Sequence, residues 1–435
     1  MISKIVIRIL KGNEKNISRD CFLWNTLAGG INAAEAVVLM MVITRTNGLD
    51  AAGILSIAFA VGNLLMTVGK FGVRNYQVTD VKKEYAFNSY YTLRIGTVLA
   101  MVLVSGGYVF LKYIFGAYSL EKALIVLGIC LVYAIESFED VFLGYYQEEG
   151  RLDIASKIFV IRWVGIMLVF SVIAVVKRDL LLAVGVSVIV SLLCDIYLIL
   201  VTGTIFLMPK IKIEGKQLYA LAKQCFSLFL VAFLTYYVTN SPKYAIDKYL
   251  SEEIQAYYGY ISMPVFVVEL LNCFLYQPQL VDLANAWKNY KYKEFNKRTY
   301  RQYIMILGLT LVCVIGAYLL GIPILSVIYG VQLDKYRNEL VILMIAGGAL
   351  AFVGYTSVLL TIMRKQRLLL YNMIAITVLA IIGFGRIVQK TGMMGGAEYY
   401  LFLMILLAIL NYCGTIAVVH RNRKQQKANN IIDIF

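Results

Sequence analysis

Several charged side chains lie inside stretches of the chain that are otherwise continuously apolar. Two of them are arginines, Arg94 and Arg162, and three are carboxylates near the middle of their stretches, Glu35, Asp195 and Glu269. An unpaired charge is costly in an apolar medium, so each of these side chains needs water, a counter-ion or a polar partner. An arginine there binds an anion or a carboxylate, and a carboxylate there carries a proton or neutralises an arginine. These residue types are typical of a pathway for a polar or ionic solute.

Residues for catalysis or metal binding are not apparent. The only histidine, His420, follows an apolar stretch beside Arg421, where anchoring to headgroups is the better interpretation. The seven cysteines are scattered without metal-ligand spacing, and no Ser/His/Asp set, HExxH motif or phosphate-binding loop occurs. The sequence therefore predicts no enzyme activity, no catalytic residue, no metal site and no cofactor, with H⁺ or Na⁺ as the ion available for coupled transport.

The elements that must position the charged residues are twelve apolar stretches. A transmembrane helix needs about 20 mostly apolar residues. These stretches are continuously apolar, whereas the strands of a membrane β-barrel alternate. The sequence therefore predicts an all-α polytopic membrane protein with about twelve transmembrane helices, at residues 21–44, 51–71, 89–115, 121–146, 154–176, 180–207, 221–240, 254–283, 302–329, 338–363, 368–388 and 396–419.

The distribution of basic residues predicts the orientation of these helices. Of the 41 lysines and arginines, 28 lie at the N-terminus, the C-terminus and in or beside alternate loops, and 11 lie in or beside the other loops. The remaining two, Arg94 and Arg162, lie deeper within their spans. Because cytoplasmic loops retain positive charge, both termini are expected in the cytoplasm. The formal net charge of +15 is then explained by topology and anionic headgroups, so nucleic acid is not an expected partner.

The chain is predicted to form two six-helix lobes around a central cavity. Residues 1–207 form the N-terminal lobe. Its first 19 residues form either an interfacial helix with a basic and an apolar face or a frayed basic tail. Residues 208–220 form a cytoplasmic linker, and residues 221–435 form the C-terminal lobe with its basic tail. The tripeptide Lys83-Glu84-Tyr85 is similar to Lys293-Glu294-Phe295, which is a limited sequence similarity between the two halves. Parallel repeats place a substrate site at the interface of the lobes.

Several short patterns resemble a known family. They are residues 25–53 (NTLAGGINAAEAVVLMMVITRTNGLDAAG), 69–76 (GKFGVRNY), 247–251 (DKYLS), 258–259 (YG), 263–264 (MP) and 277–280 (QPQL). Together they resemble bacterial polysaccharide flippases of the Wzx type, in the multidrug/oligosaccharidyl-lipid/polysaccharide (MOP) exporter superfamily.

This resemblance implies a multi-pass transporter of the bacterial inner or plasma membrane without enzyme activity. The substrate it implies is an undecaprenyl-linked oligosaccharide, the repeat unit of a cell-surface polysaccharide or teichoic-acid-type polymer, moved from the inner to the outer leaflet by alternating access. The implied partners are membrane lipids, the lipid-linked glycan, and the glycosyltransferases and polymerase of polysaccharide biosynthesis.

A lipid-linked sugar carries an anionic phosphate, so cations are the candidate substrate ligands. Arg162 is the first candidate, because it lies about 12 Å inside its span and a guanidinium holds phosphate with two hydrogen bonds. Its alternative roles are an ion pair with Asp195 or extension of the side chain to the membrane surface. Arg94 lies nearer the end of its span. The cations expected at the outer end are Arg45, Lys243, Lys248 and Arg386.

Carboxylates within spans are the candidates for ion coupling. Glu35, Asp195 and Glu269 lie near mid-span, and Asn25 and Asn32 make the helix face of Glu35 unusually polar. For Asp195, a structural ion pair is the preferred interpretation. A further set, Glu136, Glu139 and Asp140, shares one face of the fourth span. That set is predicted to line a solvated cytoplasmic entrance.

Two other functions are compatible with the architecture. A multidrug and toxin extrusion (MATE) type cation antiporter belongs to the same superfamily, but a site for cations is expected to be dominated by acids rather than by arginine. A membrane-embedded polysaccharide polymerase is the enzyme alternative. The single histidine and the short loops disfavour it.

Overall fold

The computed structural model describes residues 2–12, 16–80, 83–206, 215 and 217–432. This part of the chain is helical and contains no strand. Within it, ten segments are long and apolar enough to cross a membrane. The predicted all-α membrane architecture is therefore confirmed. A further helix, Leu120–Glu148, is as long as these segments and matches the predicted fourth span, but three carboxylates interrupt its apolar run.

The chain divides into two compact units, Met1–Tyr236 and Tyr237–Phe435, called the N-terminal and C-terminal units below. The division falls inside helix α9, which begins at Leu218. Most of the predicted linker at 208–220 lies outside the described residues. The helices up to this point are α1 (Ile2–Lys11), α2 (Ile17–Asn47), α3 (Leu49–Lys70), α4 (Val73–Thr79), α5 (Phe87–Ile114), α6 (Leu120–Glu148), α7 (Leu152–Lys177), α8 (Leu180–Gly203) and α9 (Leu218–Tyr249).

Helices α3 and α6 form the interior of the N-terminal unit. Most of α3 is buried, because its sequence is rich in alanine and glycine and lets neighbouring helices approach closely. A Cβ atom at Gly62 would lie 2.7 Å from the ring of Tyr133 on α6. One at Gly69 would lie 2.7 Å from both Met101 on α5 and Ser137 on α6. These glycines fix the spacing between the helices that carry the charged residues.

Gly72 is the left-handed residue that separates α3 from α4, with φ 68° and ψ 8°. A Cβ atom there would lie 2.7 Å from Cβ of Leu228 on α9. We expect Gly72→Ala to destabilise the protein by more than the left-handed backbone alone costs an L-residue, which is about 1–2 kcal/mol. Thermal unfolding of the purified protein in detergent measures the difference.

Gly150→Ala is the matched control for this prediction. Gly150 has φ 73°, and a Cβ atom added there would have no heavy atom within 4 Å, so this substitution reports the backbone cost alone. Equal losses of unfolding temperature for the two variants would show that the contact with Leu228 contributes nothing.

Helix α1 is held against the rest of the N-terminal unit at its C-terminal end. Leu10 is fully buried, in a cluster with residues of α7 and α8. Two backbone carbonyls at this end accept hydrogen bonds: that of Leu10 from Lys157 Nζ at 3.1 Å, and that of Lys11 from Arg151 Nη2 at 2.7 Å. Asp153 forms salt bridges with both cations. The basic N-terminal segment is thus packed by its apolar residues onto the end of α7.

Several helices of the C-terminal unit are short or interrupted. Pro242 lies inside α9, and a break at Met263 and Pro264 separates α10 from α11. A π-helical turn, Ala317–Gly321, joins α13 to α14. Gly392, with φ 68° and ψ −153°, divides α16 between the two last predicted spans. The helices are α10 (Glu252–Ser262), α11 (Val265–Tyr276), α12 (Leu280–Lys288), α13 (Tyr292–Gly316), α14 (Ile322–Tyr329), α15 (Arg337–Ile362) and α16 (Gln366–Ile432).

Candidate functional site

Three carboxylates of α6 form the centre of a buried charged cluster in the N-terminal unit. Glu136, Glu139 and Asp140 face the interior together because they are three and four residues apart on one helix. Their exposed fractions are 4%, 0% and 7%. The prediction that they line a solvated entrance is therefore wrong. Each pairs instead with cations of neighbouring helices, which offset the cost of burial.

Arg162 of α7 binds two of these carboxylates and is itself fully buried. Its Nε lies 2.8 Å from Glu139 Oε2, and its Nη2 lies 3.0 Å from Glu136 Oε2. The indole of Trp163 donates a further hydrogen bond of 2.8 Å to Glu136 Oε2. Arg162 thus links α7 to α6 through two charge-assisted hydrogen bonds. The side chain has no surface left for a ligand in this conformation.

Arg94 of α5 is also fully buried and binds the third carboxylate. Its Nη2 lies 2.8 Å from Asp140 Oδ2, and its Nη1 donates to the carbonyl oxygen of Gly69 at 2.7 Å. That carbonyl accepts a second hydrogen bond, from Thr97. Arg94 therefore connects α5, α6 and the end of α3 at one point. These contacts fix the position of the segment that carries Lys70 and Arg74.

Lys70 and Arg74 are the partly exposed cations of the same network. Lys70 Nζ lies 2.8 Å from Glu136 Oε1, and its side chain is 33% exposed. Arg74 Nη1 lies 3.2 Å from Asp140 Oδ1, and its side chain is 27% exposed. Arg74 Nη2 also donates to Gln147 Oε1 at 2.9 Å. The charged network of Lys70, Arg74, Arg94, Arg162, Glu136, Glu139 and Asp140 thus reaches solvent through Lys70 and Arg74.

Sequence reasoning did not assign these two residues to the site. Both lie near the end of a span and were counted among the positive charges of a cytoplasmic loop. Two features of the sequence point to them. Three carboxylates on one face of α6 need several cations as partners, and the pattern GKFGVRNY contains both Lys70 and Arg74.

The loop after α4 is fixed by Asp80. Its carboxylate accepts hydrogen bonds from the backbone N–H groups of Glu84 and Tyr85 and from the hydroxyl of Tyr90, at 2.8–3.1 Å. Partial burial raises the pKa of Asp80, but these hydrogen bonds outweigh it and hold the pKa below the ordinary value. The hydrogen bonds therefore stabilise the folded loop at pH values above the ordinary pKa of an aspartate. This stabilisation is lost as the pH falls through the lowered pKa of Asp80.

The predicted coupling carboxylates of the N-terminal unit lie next to this network. Glu35 of α2 is buried and accepts a hydrogen bond of 2.8 Å from the hydroxyl of Tyr133, while its Oε2 has no partner within the described residues. Asp195 of α8 is buried near Glu139 and Arg162. Among the described residues it forms no salt bridge, and the partners of Arg162 are Glu136 and Glu139 instead.

The remaining predicted residues are not part of the network. Arg45 is exposed near the end of α2. Lys243, Lys248, Glu269 and Arg386 belong to the C-terminal unit, where Lys243 and Glu269 are half-buried and Lys248 and Arg386 are exposed. The ammonium of Lys248 lies 4.9 Å from the ring centre of Tyr249. Within the described part of the chain, no group of three or more His, Cys, Asp or Glu side chains could hold a metal ion.

Comparison of sequences gives no match, either to a family model or to a curated protein. Comparison of structures gives several over nearly the whole chain. The lipid II flippase MurJ, in an inward closed conformation, has a TM-score of 0.68 at 15% identity, covering 92% of this chain and 89% of its own. A multidrug resistance MATE family transporter of the MOP superfamily, in an inward-facing conformation, has a TM-score of 0.67 at 11% identity, covering 90% and 96%.

A MOP superfamily transporter from Pyrococcus furiosus is a further structural match, with a TM-score of 0.54 at 12% identity, covering 95% of this chain and 98% of its own. Identities this low show a shared fold and not a shared substrate. The fold of this chain is that of the transporters of the MOP superfamily.

Proposed function

We propose that this protein is a flippase for an anionic lipid-linked oligosaccharide, of the undecaprenyl-linked kind that supplies repeat units of a surface polysaccharide. It would act in the bacterial cell membrane with twelve transmembrane helices and both termini in the cytoplasm. The observation that carries the proposal is the pair of partly exposed cations, Lys70 and Arg74, held by a buried network of salt bridges. The fold shared with a lipid II flippase supports it.

The positive charge of the network favours an anionic substrate beside Lys70 and Arg74. Four cations face three carboxylates in it, so the ionised network carries a formal charge of +1. The two cations that reach solvent are Lys70 and Arg74. Each has hydrogen-bond donors beyond those its carboxylate uses, and a phosphate can accept them. Arg94 and Arg162 would act as positioning residues that fix α6 against its neighbours.

Glu35 and Asp195 suit a coupling role in this proposal. Within the described part of the chain they lie close to the network without a salt bridge, and each has one carboxylate oxygen without a partner. Proton uptake by either one would make the surroundings of the network more positive and favour the phosphate. Release of the proton would favour its departure. This sequence of events would link substrate movement between the two conformations of alternating access to a proton gradient.

A MATE-type transporter has the same fold, but the accessible positive charges of this network do not suit a cationic substrate. A transporter of cationic drugs would have to bring its substrate to a surface where Lys70 and Arg74 are the accessible charges, and this arrangement repels cations. The polymerase alternative is disfavoured by the single histidine and the short loops of the sequence.

Transport by the purified protein in proteoliposomes tests the proposal. Fluorescent undecaprenyl diphosphate-linked oligosaccharide is placed in one leaflet, and its arrival in the other is measured with a membrane-impermeant quencher. We expect protein-dependent translocation with no change in the mass of the substrate. The same vesicles should show no protein-dependent transport of ethidium. Ethidium transport without glycolipid translocation would favour the MATE-type alternative, and a change in glycan mass would favour the polymerase.

A further inference from the structure

A groove in the C-terminal unit lies between the two ends of α16. Its volume is about 720 Å³. That value lies within the range of about 300–1,000 Å³ that is usual for small-molecule sites. Residues 365–372 form one wall and residues 410–422 form the other. The lining residues are Lys365, Leu368, Asn372, Leu410, Cys413, Gly414, Ala417, Val418, Arg421 and Asn422.

The lining combines an apolar floor with a cationic rim. Leu368, Leu410 and Val418 supply apolar surface, and Lys365 and Arg421 supply positive charge. Residues 358–372 and 410–424, from which both walls are built, contain no acidic residue. Within the described residues, neither Lys365 nor Arg421 forms a salt bridge. The groove is therefore complementary to a ligand with an anionic head and an apolar chain.

Contacts at its base keep the two walls together. Asn372 donates a hydrogen bond of 2.9 Å to Asn411, which is fully buried. A Cβ atom at Gly414 would lie only 2.6 Å from Cδ2 of Leu368, so the backbone of one wall packs directly on a side chain of the other. The groove is thus defined by helix packing and does not depend on exposed side chains for its width.

We propose that this groove binds one anionic phospholipid of the bilayer. Lys365 and Arg421 would hold the headgroup phosphate, and an acyl chain would lie along Leu368, Leu410 and Val418. Arg364, Arg367, Arg423 and Lys424 are neighbours of these two cations in the sequence, but they do not line the groove. Basic pockets between transmembrane helices are a recurrent form of lipid headgroup site. This site is separate from the glycolipid transport proposed above and makes the protein sensitive to the composition of the surrounding leaflet.

Native mass spectrometry of the full-length protein in detergent tests this site, with phosphatidylglycerol, phosphatidylcholine and undecaprenyl phosphate as probes. We expect one phosphatidylglycerol to bind at least tenfold more tightly than phosphatidylcholine. Each of the substitutions Lys365→Gln and Arg421→Gln should weaken phosphatidylglycerol binding by about tenfold, since each removes a charge-assisted hydrogen bond. Ala417→Phe should block the groove without changing any charge.

The matched control is the pair Arg367→Gln and Arg423→Gln, which removes two charges from the same ends of α16 but none from the lining. We expect it to leave phosphatidylglycerol binding unchanged. An equal loss in this control, or equal binding of phosphatidylcholine, would overturn the site. Displacement of phosphatidylglycerol by an equal concentration of undecaprenyl phosphate would assign the groove to the transported lipid instead. If the glutamine variants fail to fold, Ala417→Phe tests the site by itself. Binding of phosphatidylglycerol to this variant as tightly as to the wild type would exclude the groove.

Discussion

Replacing Arg162 by alanine is expected to destabilise the protein by about 3–5 kcal/mol, the usual cost of removing one partner from a buried ion pair. The variant leaves Glu139 fully buried without the cation that pairs with it and deprives Glu136 of one of two. Thermal unfolding in detergent and the yield of monodisperse protein measure this effect. Transport should be lost as a consequence of the altered packing between α6 and α7.

Two further variants separate this structural role from direct binding of phosphate. In Arg162→Ala with Glu139→Gln, the carboxylate that lost its partner is neutral, so part of the lost stability should return. Arg162→Lys keeps the charge but cannot reach both Glu136 and Glu139 as the guanidinium does, so its stability should fall between wild type and alanine. An Arg162→Ala protein with wild-type unfolding temperature and no flux would instead support direct contact with the substrate.

Combined replacement of Lys70 and Arg74 by glutamine is expected to abolish translocation while leaving the protein folded. Both side chains lie partly in solvent, and their carboxylate partners keep a buried arginine each: Arg162 for Glu136 and Arg94 for Asp140. Each cation would contribute a hydrogen bond between charged groups, worth about 1.5–3 kcal/mol. Each single substitution should therefore lower flux by about ten- to a hundredfold at limiting substrate.

Lys177→Gln is the control for this prediction. It removes one exposed positive charge from the same unit, at the end of α7 and outside the network. Its flux should match that of the wild type. Arg74→Lys should retain more flux than Arg74→Gln but less than the wild type, because an ammonium lacks the planar fork that fits a phosphate. Wild-type flux in the double glutamine variant, at equal protein level, would remove Lys70 and Arg74 from the substrate path.

Helical architecture and the position of charged residues inside long apolar helices were predictable from sequence. Each membrane helix satisfies its own backbone hydrogen bonds, so a long apolar stretch specifies its helix without reference to the rest of the chain. The same local reasoning located Arg94, Arg162, Glu35 and Asp195 within spans. It also identified the shared face of Glu136, Glu139 and Asp140, because the helical period is a property of one segment.

The sequence by itself determined that the chain is an all-α membrane protein and that charges are buried in it; only the tertiary structure decided which charges meet. Apolar periodicity does not specify which helices are neighbours. That choice depends on close contacts such as those of Gly62 and Gly69, which bring α3 and α5 against α6. The packing of α7 on α6 pairs Arg162 with Glu136 and Glu139 rather than with Asp195. The packing of α3 and α4 on α6 brings Lys70 and Arg74 into the same network. The attraction between two charges weakens with their separation, so the distances between packed helices decide which charges pair. Those distances are not encoded in any single segment of the sequence.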